Sequence, residues 1–120
     1  MTKKVIVSFD IEHDYNRLGK NFKFTGSNFL LQPLRVFLKD RGIKTNFFFS
    51  TDALIKFHRM AKFLKEDGHE IGVHSSFHDI LCNYNYAQQF EQIFIATNVH
   101  KILLSDNPKI FRAPNFSINH

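Results

Sequence analysis

The stretch Gly68-His69-Glu70-Ile71-Gly72-Val73-His74-Ser75-Ser76-Phe77-His78 decides how this chain is read. Glu70 to Val73 is a short run that reads as a strand. Directly after it come two imidazoles four residues apart. On one helical turn His74 and His78 would point the same way and could grip one divalent metal. Such a pair carries little weight alone in a chain with seven histidines. Its position gives it weight, because α/β folds gather their chemistry at the carboxyl ends of strands.

Outward from this stretch, two more polar clusters take equivalent places. Asp10-Ile11-Glu12-His13-Asp14 follows the run Val5-Ile6-Val7-Ser8-Phe9, read as a first strand, and Arg112-Ala113-Pro114 follows Ile110-Phe111. Asn16 to Gly26 reads as a loop. A helix capped by Ser27 or Asn28 is expected to run to about Asp40, with Leu30, Leu31, Leu34, Phe37 and Leu38 inward. Pro33 suits that helix only in its first turn, and Gly42 suits a left-handed cap. Thr45 to Phe49 reads as the second strand. Thr51 or Asp52 caps a helix to about Asp67, with Phe57, Met60, Ala61 and Leu64 inward, and Gly68 closes it. Asp79 to Asn85 looks irregular. Tyr86 to about Leu103 reads as a helix with Phe90, Ile93, Phe94 and Thr97 inward, and Lys109 to Phe111 starts a fourth strand. The order βαβαβαβ predicts a parallel sheet with right-handed crossovers.

The chain has 120 residues and reads as one domain, 1–120. Its 43% apolar content excludes disorder as the default, and fifteen phenylalanines with no tryptophan point to a Phe-rich core that includes Phe47, Phe48 and Phe49. The formal charge is +5, but the basic residues are scattered, so nucleic-acid binding is not expected. An anionic glycan or a sugar nucleotide fits that charge as well. Cys82 is the single cysteine, which excludes an internal disulfide and is read as inert. The apolar run from Val5 is stopped by Asp10. It is too short for a signal peptide or a membrane span, so a cytoplasmic location is the expectation. His69 is expected to hydrogen-bond a helix end, and His13, His58 and His100 to lie on the surface.

Taken together, the clusters resemble the polysaccharide deacetylase (NodB-homology) family over Val5 to about Ser117. Ser8-Phe9-Asp10-Ile11-Glu12 resembles its first motif, and Gly42-Ile43-Lys44-Thr45-Asn46-Phe47-Phe48 its second strand, usually G-x-x-A-T-F-F. His69 to Gly72 with His74-Ser75-Ser76-Phe77-His78 resembles the metal motif, H-[ST]-x-x-H with a leading H-E-I-G. Phe111-Arg112-Ala113-Pro114 resembles the third motif, R-x-P. Any one of these is weak; four in order are strong.

The resemblance implies a distorted (β/α) barrel and metal-dependent amide hydrolysis. It places the general base on Asp10, with Arg112 pairing with and orienting it. It places the metal on His74, His78 and an acidic residue. The common form has two adjacent aspartates, whereas this chain has Ile11 after Asp10, so Glu12 takes the ligand role and Asp14 is the alternative. In an extended strand positions 10 and 12 share a face. Zinc is the expected ion, with cobalt, iron or nickel able to substitute. Pro114 and the backbone N–H of Asn115 fall at the substrate, where the family usually has Tyr then Gly and this chain has Asn115 then Phe116.

An eight-unit barrel usually needs more than about 200 residues. The expectation is therefore an α/β fold that is a partial (β/α) barrel, truncated after about four strands. The family's later motifs, an acidic residue and a histidine that protonates the leaving group, do not appear before Asn119-His120. His120 lies too close to Arg112 to be that histidine. The implied activity is metal-dependent removal of N-acetyl groups from a carbohydrate, such as a polysaccharide or lipopolysaccharide precursor. One alternative is an inactive or partner-dependent fragment that self-associates or takes its missing half from a partner. Another is a different carbon–nitrogen hydrolase acting on cyclic amides or imides.

Overall fold

The computed structural model describes residues 2–16, 19–20, 23–77 and 79–117. Its elements in order are β1 (Ser8–Ile11), β2 (Tyr15–Asn16), β3 (Gly19–Lys20), α1 (Thr25–Asp40), β4 (Asn46–Phe49), α2 (Thr51–Glu66), β5 (Glu70–Val73) and α3 (Tyr86–Leu104). Strands β1, β4 and β5 form one parallel sheet in that order. Asp10 stands beside Phe48, and Phe48 beside Gly72. The helices between them make the crossovers that parallel pairing demands. The open parallel sheet with alternating helices is what the pattern predicts, and it fits the partial barrel that the resemblance implies.

Alternation along the strands sorts residues into a helix-covered face and an inner face. Phe9, Ile11, Phe47, Phe49 and Ile71 join Leu31, Leu38, Leu54, Ala61 and Leu64 in one core. Phe9 stacks on Phe47 with centroids 5.2 Å apart. Each fully buried Phe or Leu contributes roughly 1.5–3 kcal/mol of transfer free energy. The inner face carries Ser8, Asp10, Phe48 and Gly72, and it is where the polar clusters meet.

Several expectations shift. The first strand is Ser8–Ile11, not Val5 to Phe9. Val5 and Ile6 are 83% and 85% exposed, because the ladder with β4 starts only at Ser8 beside Asn46. The expected fourth strand reduces to one parallel bridge between Val73 and Phe111. The expected loop from Asn16 holds the small antiparallel pair β2 and β3. Helix α1 begins at Thr25, before the expected Ser27 or Asn28 cap, and Pro33 lies inside it. Its start is held from outside the helix, by Asp14, which accepts from the N–H groups of Thr25 (2.9 Å) and Gly26 (3.3 Å). Pro33 is on the exposed side, where water can serve the carbonyl that proline cannot. Of the residues expected inward on α1, Leu30 and Phe37 are exposed.

Helix α2 has Ser50 at its N-cap position rather than Thr51 or Asp52, and its expected inward residues all pack on the core. Gly42 and Gly68 have φ of 62° and 91°, as their helix-ending positions require. Helix α3 differs most. It buries Ala96, His100 and Leu104, while Phe90, Ile93 and Phe94 are exposed and Phe90 stacks on Phe94. Among the described residues no helix is long and apolar enough to cross a membrane.

Candidate active site

The site forms where the inner-face row Asp10, Phe48, Gly72 meets the segment after α3. Gly72 makes the meeting possible. A Cβ built there would lie 2.6 Å from Ile110 Cγ1, 2.8 Å from Phe48 Cδ1 and 2.9 Å from Ile110 O. Only a residue without a side chain lets this segment lie against β5. The Val73 N–H donates to Ile110 O (3.1 Å) and the Arg112 N–H donates to Val73 O (3.0 Å).

From that seat Arg112 reaches across the sheet. Its guanidinium lies 4.2 Å from the Phe48 ring centroid. It then donates to Asp10 Oδ1 at 2.7 Å and to Ser8 Oγ at 2.6 Å. Asp10 is two strands away from β5, so the side chain needs the flat aromatic surface of Phe48 to cross.

His74 stands just past the end of β5 and is 2% exposed. Its N–H donates to Phe49 O (2.9 Å), which carries the parallel ladder one residue further. The ring Nδ1 lies 2.8 Å from the Arg112 carbonyl. A carbonyl only accepts, so Nδ1 carries the hydrogen, and in the neutral ring the Nε2 lone pair faces outward. It faces carboxylates: Glu12 Oε2 at 3.4 Å and Asp10 Oδ2 at 3.9 Å.

Residues 75–77 form a turn rather than the expected helical turn, with Ser75 at φ 63°. The N-terminus of α2 clamps this turn, since the Thr51 N–H donates to the carbonyls of Ser75 and Ser76. Ser76 Oγ donates to Gln92 O of α3 (3.1 Å). His78, expected as the second imidazole ligand, lies outside the described residues.

The donor set fits a divalent cation as far as it is described. A positive charge between the His74 lone pair and the Glu12 carboxylate would draw the two together. Two ligand atoms each about 2.0–2.2 Å from a tetrahedral ion are about 3.4 Å apart, which is the His74 to Glu12 separation. Arg112 O is the outer partner that fixes the imidazole tautomer for such a role. Among the described residues no three His, Cys, Asp or Glu side chains form a metal-holding group. Asp14, the alternative carboxylate, is turned to the start of α1 instead. That contact holds its carboxyl below the usual range, chiefly through the hydrogen bonds from Thr25.

The third cluster ends in a short 3₁₀ turn, Pro114–Phe116. Pro114 is fully buried, and Asn115 and Phe116 have φ of 51° and 52°. These are left-handed values, which glycine adopts freely and phenylalanine does not.

Two histidines sit differently from expectation. His13 is buried, with Nδ1 3.1 Å from Asp52 Oδ2. His100 is buried with Nε2 3.1 Å from Asp106 Oδ1, and burial holds its pKa below the usual range although Asp106 opposes this. His69 hydrogen-bonds a helix end as expected, its N–H donating to Leu64 O in the last turn of α2 (3.0 Å); its ring accepts from the Thr45 N–H (3.2 Å) just before β4, and burial lowers its pKa too. Three contributors to the site went unnoticed in the sequence: Ser8, the Phe48 ring and the space at Gly72. Ser8 shares its strand face with Asp10, and that alternation was a usable signal.

The sequence matches the polysaccharide deacetylase family over residues 3–120. The chain belongs to this family. No curated protein matches it in sequence. Among solved structures, the peptidoglycan deacetylase PdaC from Bacillus subtilis is similar at 17% identity and TM-score 0.74, covering 95% of this chain and 51% of that one. A CE4 family pseudoenzyme from Bacillus anthracis is similar at 18% identity and TM-score 0.75, covering 95% and 37%. A family 4 carbohydrate esterase from Streptomyces lividans, solved with acetate, is similar at 17% identity and TM-score 0.72, covering 95% and 53%. At these identities the likeness is one of fold. The chain spans about half, or less, of the length of those structures.

Proposed function

We propose that this chain carries the metal and base half of an N-deacetylase site acting on an N-acetylated carbohydrate. The observation that supports it best is His74, oriented by the Arg112 carbonyl, with Nε2 against Glu12 and Asp10. His74 and Glu12 would hold a divalent ion, zinc by the softness of an N/O set, with His78 as the expected third ligand. Such an ion would supply Lewis-acid charge to the acetyl carbonyl and to water.

The chain's own residues do the rest. Asp10 takes the proton from the attacking water, at the oxygen Oδ2 that faces the site, while Oδ1 is held by Arg112. The second bond of Arg112, to Ser8, fixes the guanidinium that holds Asp10 Oδ1. The Asn115 N–H, in the turn after Pro114, would donate to the oxyanion. The Phe48 ring under Arg112 excludes water from one side of the ion pair.

A second reading has a specific observation in its favour. Helix α3 leaves Phe90, Ile93 and Phe94 exposed beside an open sheet edge. In that reading the site works only when further polypeptide, or a second copy, covers this face and adds the group that protonates the leaving amine.

The test is acetate release from an N-acetylglucosamine oligomer with zinc added, comparing the parent with Asp10→Asn. Acetate release that falls at least about a hundredfold in the variant supports the assignment. Equal release from both removes Asp10 from the chemistry. Release seen only after a second polypeptide is supplied selects the second reading.

A further inference from the structure

Phe116 has a φ of 52°, a conformation that a bulky side chain rarely adopts and that folding disfavours. Burial does not compensate, because the residue is 77% exposed. Its ring lies 5.6 Å from the Arg112 guanidinium, whose carbon also lies 4.2 Å from the Phe48 ring centroid. Phe48, Phe111, Arg112, Ala113 and Phe116 line a recess of about 340 Å³. Arg112 is shared between this recess and the Asp10 pair, so the recess opens directly beside the reacting position. That volume suits a small ligand, with aromatic walls for its apolar faces and one cation for its polar edge.

We infer that Phe116 is a specificity-determining residue: with Phe111 it forms a stacking wall for the sugar ring whose acetamido group is presented to Asp10. A pyranose ring has an apolar C–H face that packs flat on an aromatic ring. Its hydroxyls accept from a guanidinium at the edge, which Arg112 supplies. Strain at an exposed side chain beside the chemistry is what a function selected against stability leaves behind. The inference rests on the deacetylase reading for the identity of the sugar.

The experiment uses the full chain with two probes, tetra-N-acetylchitotetraose and zinc, each titrated calorimetrically, together with thermal unfolding. Phe116→Gly is expected to unfold at a higher temperature than the parent, since glycine accepts the left-handed backbone. The same variant is expected to bind the tetrasaccharide about tenfold more weakly. Phe116→Tyr should keep the parent affinity, and both variants should keep the parent zinc affinity. Tetrasaccharide affinity of Phe116→Gly within twofold of the parent overturns the inference. So does a lowered unfolding temperature, which would make Phe116 a packing residue, and so does a parent chain that binds no tetrasaccharide. A zinc affinity unmoved by His74→Ala counts against the deacetylase reading, and it can occur with either result for Phe116.

Discussion

Replacing Gly72 with alanine should cripple the site without touching any of its reactive groups. The added Cβ would meet Ile110 Cγ1 at 2.6 Å, Phe48 Cδ1 at 2.8 Å and Ile110 O at 2.9 Å. Ordinary carbon contacts need about 3.5–4.0 Å, so the neighbours must retreat by about 1 Å. The Ile110 carbonyl cannot turn away freely, because it accepts the Val73 N–H at 3.1 Å. The whole segment must then lift from β5. Overpacking of this kind costs about 1–3 kcal/mol, which for a domain of this size lowers Tm by about 5–15 °C. The same lift carries Arg112 with it. The 2.7 Å contact to Asp10 and the 2.8 Å contact to the His74 ring are both anchored there. A displacement of about 1 Å at a reacting geometry can cost about a hundredfold in rate. Circular dichroism melts and acetate release on the same preparation would measure both effects. A variant that melts within about 2 °C of the parent and releases acetate at the parent rate would refute the reasoning.

Three more outcomes are expected. Arg112→Lys should lower activity by roughly ten- to a hundredfold with little change in Tm, since one ammonium cannot bond both Asp10 and Ser8 across the Phe48 ring; parent-like kcat would contradict it. Asp14→Ala should lower Tm slightly by loosening the start of α1 and leave zinc affinity unchanged, because its carboxylate serves Thr25 and Gly26; weakened zinc binding would return Asp14 to the ligand set. His69 and His100 have folded pKa values lowered chiefly by burial. The unfolded chain therefore takes up protons first, and stability should fall as pH drops below about 6.5, by at most about 1.4 kcal/mol per pH unit for each histidine, until the folded values are passed. Asp67, lowered by its bond with Arg35, loses its contribution only below the usual carboxylate range, so it does not act in that window. Urea unfolding at pH 7.5 and 5.5 measures the difference, and equal stabilities would contradict the assignment.

The parts legible in the sequence were those set by local pattern. Alternation put positions 10 and 12 on one face, and the apolar runs placed β4 and β5 to within a residue. The strand ends gathered the three clusters. What was illegible depends on partners far along the chain. Val5 to Val7 looks like a strand, but the ladder begins only where β4 supplies a neighbour at Asn46. Helix α1 starts where Asp14, eleven residues before Thr25, supplies the acceptor. Helix α3 is apolar on several faces, so periodicity could not choose Ala96, His100 and Leu104 over Phe90 and Phe94. The burial of His13 follows from Asp52, thirty-nine residues away, and no local signal marks it. Gly72 read as an ordinary strand residue until Ile110 was placed against it.

The central claim is that His74 and Glu12 belong to one metal site. A calorimetric zinc titration of the parent, His74→Ala and Glu12→Gln tests it most directly. The account predicts one tightly bound ion per parent chain, and an affinity at least about tenfold weaker in each variant. Parent-like binding in both variants would contradict it.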